Sequence, residues 1–196
     1  MYTIAQIKTL STEKWNLFRE YTVDRIRNAT VTWDPYWHAV IEDMLHPELF
    51  TYVRIVWPEQ GWLPNTRGLN SNRKIHSCWS KYVENIMEHT DIQRAVYSLQ
   101  GLEYAYDRKV MASLYEDTLG YAVGNHVDGH VINTACQLYV SGDTGTSLND
   151  SQGNLVKTVP FKQNSAWIIR NDSFSFHSCD TVQVKSRRSI MVRYLS

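Results

Sequence analysis

The chain has 196 residues, 43% of them hydrophobic and 20% charged, with 20 basic and 20 acidic side chains and a formal net charge of zero. That length suits one domain with a real core, and the balanced charge weighs against nucleic acid or an anionic membrane surface as partner. Three scattered cysteines (Cys78, Cys136, Cys179) do not make a secreted disulfide framework, the N-terminus carries no basic-then-apolar signal pattern, and no run approaches the roughly 20 apolar residues of a membrane span, so a cytoplasmic protein is expected.

The first half, residues 1–107, reads as mainly helical. Ser11 to Arg27 places Trp15, Phe18, Tyr21 and Ile26 at near-helical spacing behind a Ser/Thr cap. Asp34 and Pro35 predict the start of a second helix, with Trp37, Val40, Ile41, Met44 and Leu45 on its stripe and His46-Pro47 at its end. Tyr52 to Trp57 is a strand candidate. Pro58 to Arg73, with its Pro, Gly and Asn, predicts a long loop. Ile75 to Met87 predicts a third helix, striped by Ile75, Cys78, Trp79, Tyr82, Val83, Ile86 and Met87. His38, His46, His76 and His89 are expected on helices or their ends. Arg54, Arg67 and Arg73 around the long loop could touch an anionic substrate, but solvated charge is the default.

From about residue 108 the pattern changes to short β-rich runs between turns: KVMASLY, YAVGNHVD, INTACQLYVS, NLVKTVPF, SAWIIRN, SFSFH, TVQV and SIMVRYL. Such spacing predicts a sandwich or jelly-roll barrel over 108–196, with SGDTGTSLNDSQG as a hairpin-type connection. The expected whole is α+β, a jelly roll (double-stranded β-helix) with N-terminal helices buttressing one sheet. Cys136 is expected in a strand's core.

The chemistry lies in this half. His126 and Asp128 are two apart, so on an extended chain they share a face. His177 follows 49 residues after Asp128, where an adjacent barrel strand can bring it alongside. Two His and one carboxylate make the facial triad that holds Fe(II) and leaves positions open; Mn(II) or Co(II) would also fit, whereas Cys179 would suit zinc or copper. His130 shares the parity of His126 and Asp128, but Gly129 interrupts the strand before it. Ten residues after His177, Arg187 and Ser189 alternate with Arg188 and Ile190. An inward guanidinium beside a hydroxyl is a carboxylate receptor, and a buried Arg demands a ligand or an internal acid.

The ordered elements MASLY, NHVDGH, TACQLYVSG, FSFHSC and RRSIMVRYL resemble the 2-oxoglutarate and Fe(II)-dependent oxygenase superfamily, in its prolyl-hydroxylase-like branch. The resemblance covers roughly Val110 to Leu195. It implies His126, Asp128 and His177 as iron ligands. It implies Arg187 and Ser189 as the receptor for the distal carboxylate of 2-oxoglutarate, with Tyr139 joining it and Tyr115 lining the pocket. Where the family often has Gly-Gly before the middle strand, this chain reads GDTGTSL. The implied activity is a dioxygenase that uses O2, with ascorbate as an aid, hydroxylates a peptidyl side chain or small molecule, and releases succinate and CO2. Two other readings stay open: a cupin-type metal barrel that does not use 2-oxoglutarate, and an inactive oxygenase fold that serves as a binding module.

Overall fold

The computed structural model of the chain describes residues 10–64, 72–76, 85–104 and 109–195. Among these are three helices. The first, α1 (Thr12–Arg27), forms where its sequence predicts: the Ser11 side chain accepts from the Lys14 N–H, Glu13 sits in the first turn, and Arg25 and Arg27 sit in the last, complementing the helix dipole. Its buried side chains are Phe18, Thr22, Val23 and Ile26. The second, α2 (Pro47–Ile55), replaces the strand expected over Tyr52 to Trp57. Its β-branched residues suggest a strand, but His46 caps its start, Pro47 fits the first turn, and Leu49, Phe50, Tyr52 and Val53 are buried. The third, α3 (Thr90–Leu99), is capped by His89, at a helix end as expected, and buries Ile92, Gln93, Ala95, Val96 and Tyr97. No helix among the described residues is long and apolar enough to cross a membrane.

The strands are β1 (Thr30–Thr32), β2 (His38–Ile41), β3 (Leu63–Pro64), β4 (Arg73–His76), β5 (Val110–Thr118), β6 (Val123–His126), β7 (Ile132–Ser141), β8 (Thr146–Asn149), β9 (Leu155–Val159), β10 (Ala166–Arg170), β11 (His177–Cys179) and β12 (Ser186–Leu195). Eight form one antiparallel sheet in the order β1-β2-β10-β7-β12-β5-β4-β3, and four form a second in the order β6-β11-β8-β9. The first half of the chain thus supplies β1 to β4 as well as helices. The helix expected from Pro35 to Leu45 gives way to β2, which pairs with β1 on one side and β10 on the other. Buried on both faces, β2 loses the period-two alternation that marks a half-exposed strand, and its continuous apolar run mimics a helical stripe. His38 is therefore on a buried strand rather than a helix. Ile75 and His76 belong to β4, which removes the start of the third expected helix. Cys78, Trp79, Tyr82 and Val83 lie outside the described residues, as does Arg67. Of the β-rich runs, TVQV is not a strand, SFSFH contributes only His177 to β11, and the hairpin-type connection holds β8.

Parity along the large sheet divides its side chains between two cores. Cys136, Leu138 and Val140 of β7, and Ile190, Val192 and Tyr194 of β12, pack with Phe18, Leu49, Val53, Ile92 and Tyr97 from the helices. Ala135 and Tyr139 of β7, Trp167 and Ile169 of β10, and Met191 of β12 pack instead with Leu148 and Val159 of the small sheet. The result is a double-stranded β-helix whose larger sheet carries the helices on its outer face. The glycines of GDTGTSL serve close approach. A Cβ on Gly145 would sit 2.0 Å from the Val159 carbonyl oxygen of the neighbouring strand, and one on Gly142, whose φ is +139°, would sit 2.8 Å from Arg187 Cγ.

Candidate functional site

His126 closes β6 and His177 opens β11, and the register of the two strands sets them directly opposite one another. Their rings stand 4.3 Å apart between centroids. Asp128 completes the group: one ligand atom from each of His126, Asp128 and His177 lies within 4.8 Å of the others. The same-face argument accounts for only part of this arrangement, because β6 ends at His126 and Asp128 sits in the loop beyond it. That loop is held from outside. The side-chain N–H groups of Asn171 donate to the carbonyls of Asp128 (3.3 Å), Gly129 (3.2 Å) and Ile132 (2.8 Å). His130 is exposed and takes no part in the cluster.

Both imidazoles are oriented in the same way. His126 Nδ1 lies 2.9 Å from the Gly124 carbonyl oxygen, and His177 Nδ1 lies 3.0 Å from that of Ser175. A carbonyl can only accept, so each Nδ1 carries the proton and each Nε2 presents a lone pair, which is the tautomer a metal needs. Burial, and then the neighbouring His126, push the His177 pKa below its ordinary value, keeping that lone pair available. Two neutral imidazoles and a carboxylate in this geometry fit Fe(II), Mn(II) or Co(II). Asn171 acts on the ligand loop without touching the ligating atoms. Replacing it with Ala is expected to weaken metal binding by roughly tenfold or more, the usual effect of losing an outer partner. A Mn(II) titration checks this, and an unchanged affinity would show that the loop holds itself.

The pocket next to these ligands is lined by Arg73, Gln137, Thr146, Trp167, Met191 and Arg187 among others. Arg187 is buried as its alternation predicts, and the internal acid is Asp117. Arg187 Nη1 donates to Asp117 at 2.8 Å, Nε to the Thr144 carbonyl at 2.7 Å, and Nη2 reaches the Gln137 amide oxygen at 3.5 Å. Arg73 is no solvated loop charge. It is bound to the same Asp117 through two N–H groups at 2.6 and 3.0 Å, and its guanidinium lies 4.1 Å from the Tyr115 ring and 4.3 Å from that of Tyr121. Ser189 is buried and accepts from the Gln137 amide at 2.9 Å. Tyr139, whose ring lies 5.3 Å from the Arg187 guanidinium, has its hydroxyl in a closed set with Thr146 (2.7 Å) and Trp167 Nε1 (3.1 Å), and burial raises its pKa. The Tyr115 hydroxyl accepts from Arg193 at 2.8 Å. Arg188 faces the other way and pairs with Glu116 at 3.1 Å. The buried Cys179 lines the pocket, but its thiol turns to the Asp180 carbonyl.

Sequence reasoning missed Asp117, Gln137, Trp167, Asn171 and the role of Arg73. Gln137 could have been found, since it lies two residues before Tyr139 on the same strand face. Asp117 and Arg73 depend on the pairing of β4 with β5, which no local pattern announces.

No family model matches the chain, and no curated protein matches it. Its fold, however, has clear counterparts among solved structures. An oxidoreductase of the 2OG-Fe(II) oxygenase family from Burkholderia pseudomallei superposes with a TM-score of 0.63 at 9% identity, over 81% of this chain and 84% of that one. The non-heme alpha ketoglutarate dependent epimerase SnoN from nogalamycin biosynthesis gives 0.60 at 11% identity, over 90% and 82%. A prolyl hydroxylase from Trichoplax adhaerens, solved with a peptide fragment of the hypoxia inducible factor oxygen degradation domain, gives 0.56 at 14% identity, over 96% and 94%. The chain therefore has the double-stranded β-helix fold of the 2-oxoglutarate and Fe(II)-dependent oxygenases, prolyl hydroxylases among them.

Proposed function

We propose that the chain is a single 2-oxoglutarate and Fe(II)-dependent dioxygenase domain that hydroxylates a small molecule or a peptidyl side chain. The observation that carries this reading is the convergence of His126, Asp128 and His177 within 4.8 Å, with both histidines holding Nε2 ready for a metal. Fe(II) with bound 2-oxoglutarate supplies the oxidising chemistry, with loss of CO2 and formation of succinate. The chain's own part is to hold and orient. His126, Asp128 and His177 would hold the metal and leave further coordination positions free. Arg187 offers its Nη2 edge to the distal carboxylate, and the Gln137 amide, now 3.5 Å from that edge, is the group that must give way. Trp167 and Met191 keep the pocket wall dry. The aids expected for turnover are O2 and ascorbate, and a reducing cytoplasmic setting suits the free thiols of Cys136 and Cys179.

One observation favours the cupin-type alternative. Arg187 already spends most of its N–H groups on Asp117, Thr144 and Gln137, so the fold is satisfied without a second carboxylate. The test is spectroscopic. The anaerobic Fe(II) protein should gain a new visible absorption band on adding 2-oxoglutarate, and in air it should release succinate slowly without any substrate. Arg187→Gln should weaken 2-oxoglutarate binding about tenfold to a hundredfold while metal binding persists, and Arg188→Ala should do far less. Absence of any 2-oxoglutarate-dependent spectral change would rule out the co-substrate and leave the cupin-type reading.

A further inference from the structure

The pocket holds more positive charge than its internal partners neutralise. Among the described residues, three guanidiniums, Arg73, Arg187 and Arg193, face two carboxylates, Asp117 and Asp128. Asp117 is shared between Arg73 and Arg187, which leaves Arg193 beside the metal ligands. Arg193 lies on the inward face of β12, six residues beyond Arg187 and in step with it, so both point to the barrel interior. Six residues of extended strand put their α-carbons about 20 Å apart, while Asp117, Arg73 and Tyr115 stand between the two guanidiniums. Among the described residues, Arg193 bonds to neutral groups: its Nη2 donates to the Tyr115 hydroxyl at 2.8 Å, and its guanidinium lies 5.7 Å from the ring of the same tyrosine. Tyr115 thus has a guanidinium at each side, with Arg73 at 4.1 Å. Tyr115 occupies one edge of the Arg193 fork and fixes its direction, leaving the fork's remaining donors for a ligand. A planar guanidinium pre-set in this way binds a carboxylate through two parallel hydrogen bonds with little loss of side-chain freedom.

On the proposed function, on which this inference rests, Fe(II) and 2-oxoglutarate both occupy this pocket. Fe(II) and the 2-oxoglutarate dianion cancel one another, so the excess of one positive charge remains when both are bound. We infer that Arg193 is a specificity-determining residue that binds a carboxylate of the substrate, so that the chain acts on a carboxylate-bearing molecule, such as a free amino acid or a hydroxy acid, or on an acidic peptide side chain. The orientation follows from position. Arg193 lines the same pocket as His126, Asp128 and His177, reaching it from the facing sheet, so a carboxylate held there would leave the adjoining carbon atoms on the side of the candidate metal ligands.

The probe is acetate, with acetamide as its neutral isostere, titrated calorimetrically into the Mn(II)- and 2-oxoglutarate-loaded protein without oxygen. Acetate should bind the wild-type protein, and acetamide should not. Arg193→Gln should weaken acetate at least tenfold, and Arg193→Lys, which keeps the charge but loses the fork, should fall between the two. Binding of 2-oxoglutarate to the Mn(II) protein, measured in parallel, should change less than about threefold in either variant. Acetate binding that ignores both substitutions would overturn the inference. So would a tenfold loss of 2-oxoglutarate binding in Arg193→Gln, which would make Arg193 a co-substrate anchor. If wild-type protein fails to bind 2-oxoglutarate, the co-substrate reading falls separately. The subsite is then read on the metal-free protein, where acetate but not acetamide should protect Arg193 from labelling by phenylglyoxal, and an unprotected Arg193 would count against the inference. Equal melting temperatures of the three proteins confirm that the comparison is made on folded material.

Discussion

Asp117→Asn is expected to cost about 3–5 kcal/mol of stability, the usual penalty for removing one partner of a buried charge pair. In a chain of this length that corresponds to a fall in melting temperature of roughly 10–15 °C. The reason is local. Asp117 is fully buried and receives three hydrogen bonds from two guanidiniums, Arg73 and Arg187. Asn keeps the shape but loses the charge, so two cations are left facing each other in a site with little water. Glu116, one residue earlier, pairs with the partly exposed Arg188 on the opposite face, and Glu116→Gln should cost no more than about 1 kcal/mol. Thermal melts of the two variants check the contrast. A melting temperature within 2–3 °C of wild type for Asp117→Asn would mean that the cations find water or another anion.

His177→Ala should abolish specific metal binding, a larger loss than the roughly 10–100-fold of an outer partner, because it removes a ligating nitrogen that is itself buried. His126→Ala should do the same. His130→Ala, in the exposed turn beyond Asp128, should leave metal affinity at the wild-type level. Metal content after dialysis and Mn(II) titration give the readout. Full metal occupancy in His177→Ala would remove that residue from the ligand set, and a loss in His130→Ala would bring the turn into it.

The contrast between these two sets of residues shows what was legible in the sequence. The clustering of His126, Asp128 and His177 was, because His126 and Asp128 are close in sequence and His177 stands at a distance that a barrel's strand order makes meaningful. The barrel half was legible because its strands are short runs rich in β-branched and aromatic residues, bounded by turns. The first half was misread where an element's environment overrode its local pattern. Strand β2 is covered on both sides and so looks helical. Helix α2 carries Tyr, Val and Ile in a sequence that suits a strand, until Pro47 and the buried stripe decide the matter. The ion network on Asp117 was invisible for a different reason. Arg73 and Asp117 are 44 residues apart, and only the pairing of β4 with β5 brings them opposite one another.

The candidate metal ligands and the candidate carboxylate receptor stand on opposite layers of the molecule. His126 and His177 belong to the small sheet, while Arg187, Ser189 and Gln137 belong to the large one. A dicarboxylate gripped at the metal by one end and at a guanidinium by the other would therefore span the gap between the layers as a clasp, and the spacing of the two sheets would act as its ruler. Trp167, on the large sheet, has its ring 6.0 Å from that of His177 and sets that gap. Trp167 could in this way discriminate between acids one methylene longer or shorter, by how far apart it keeps the jaws.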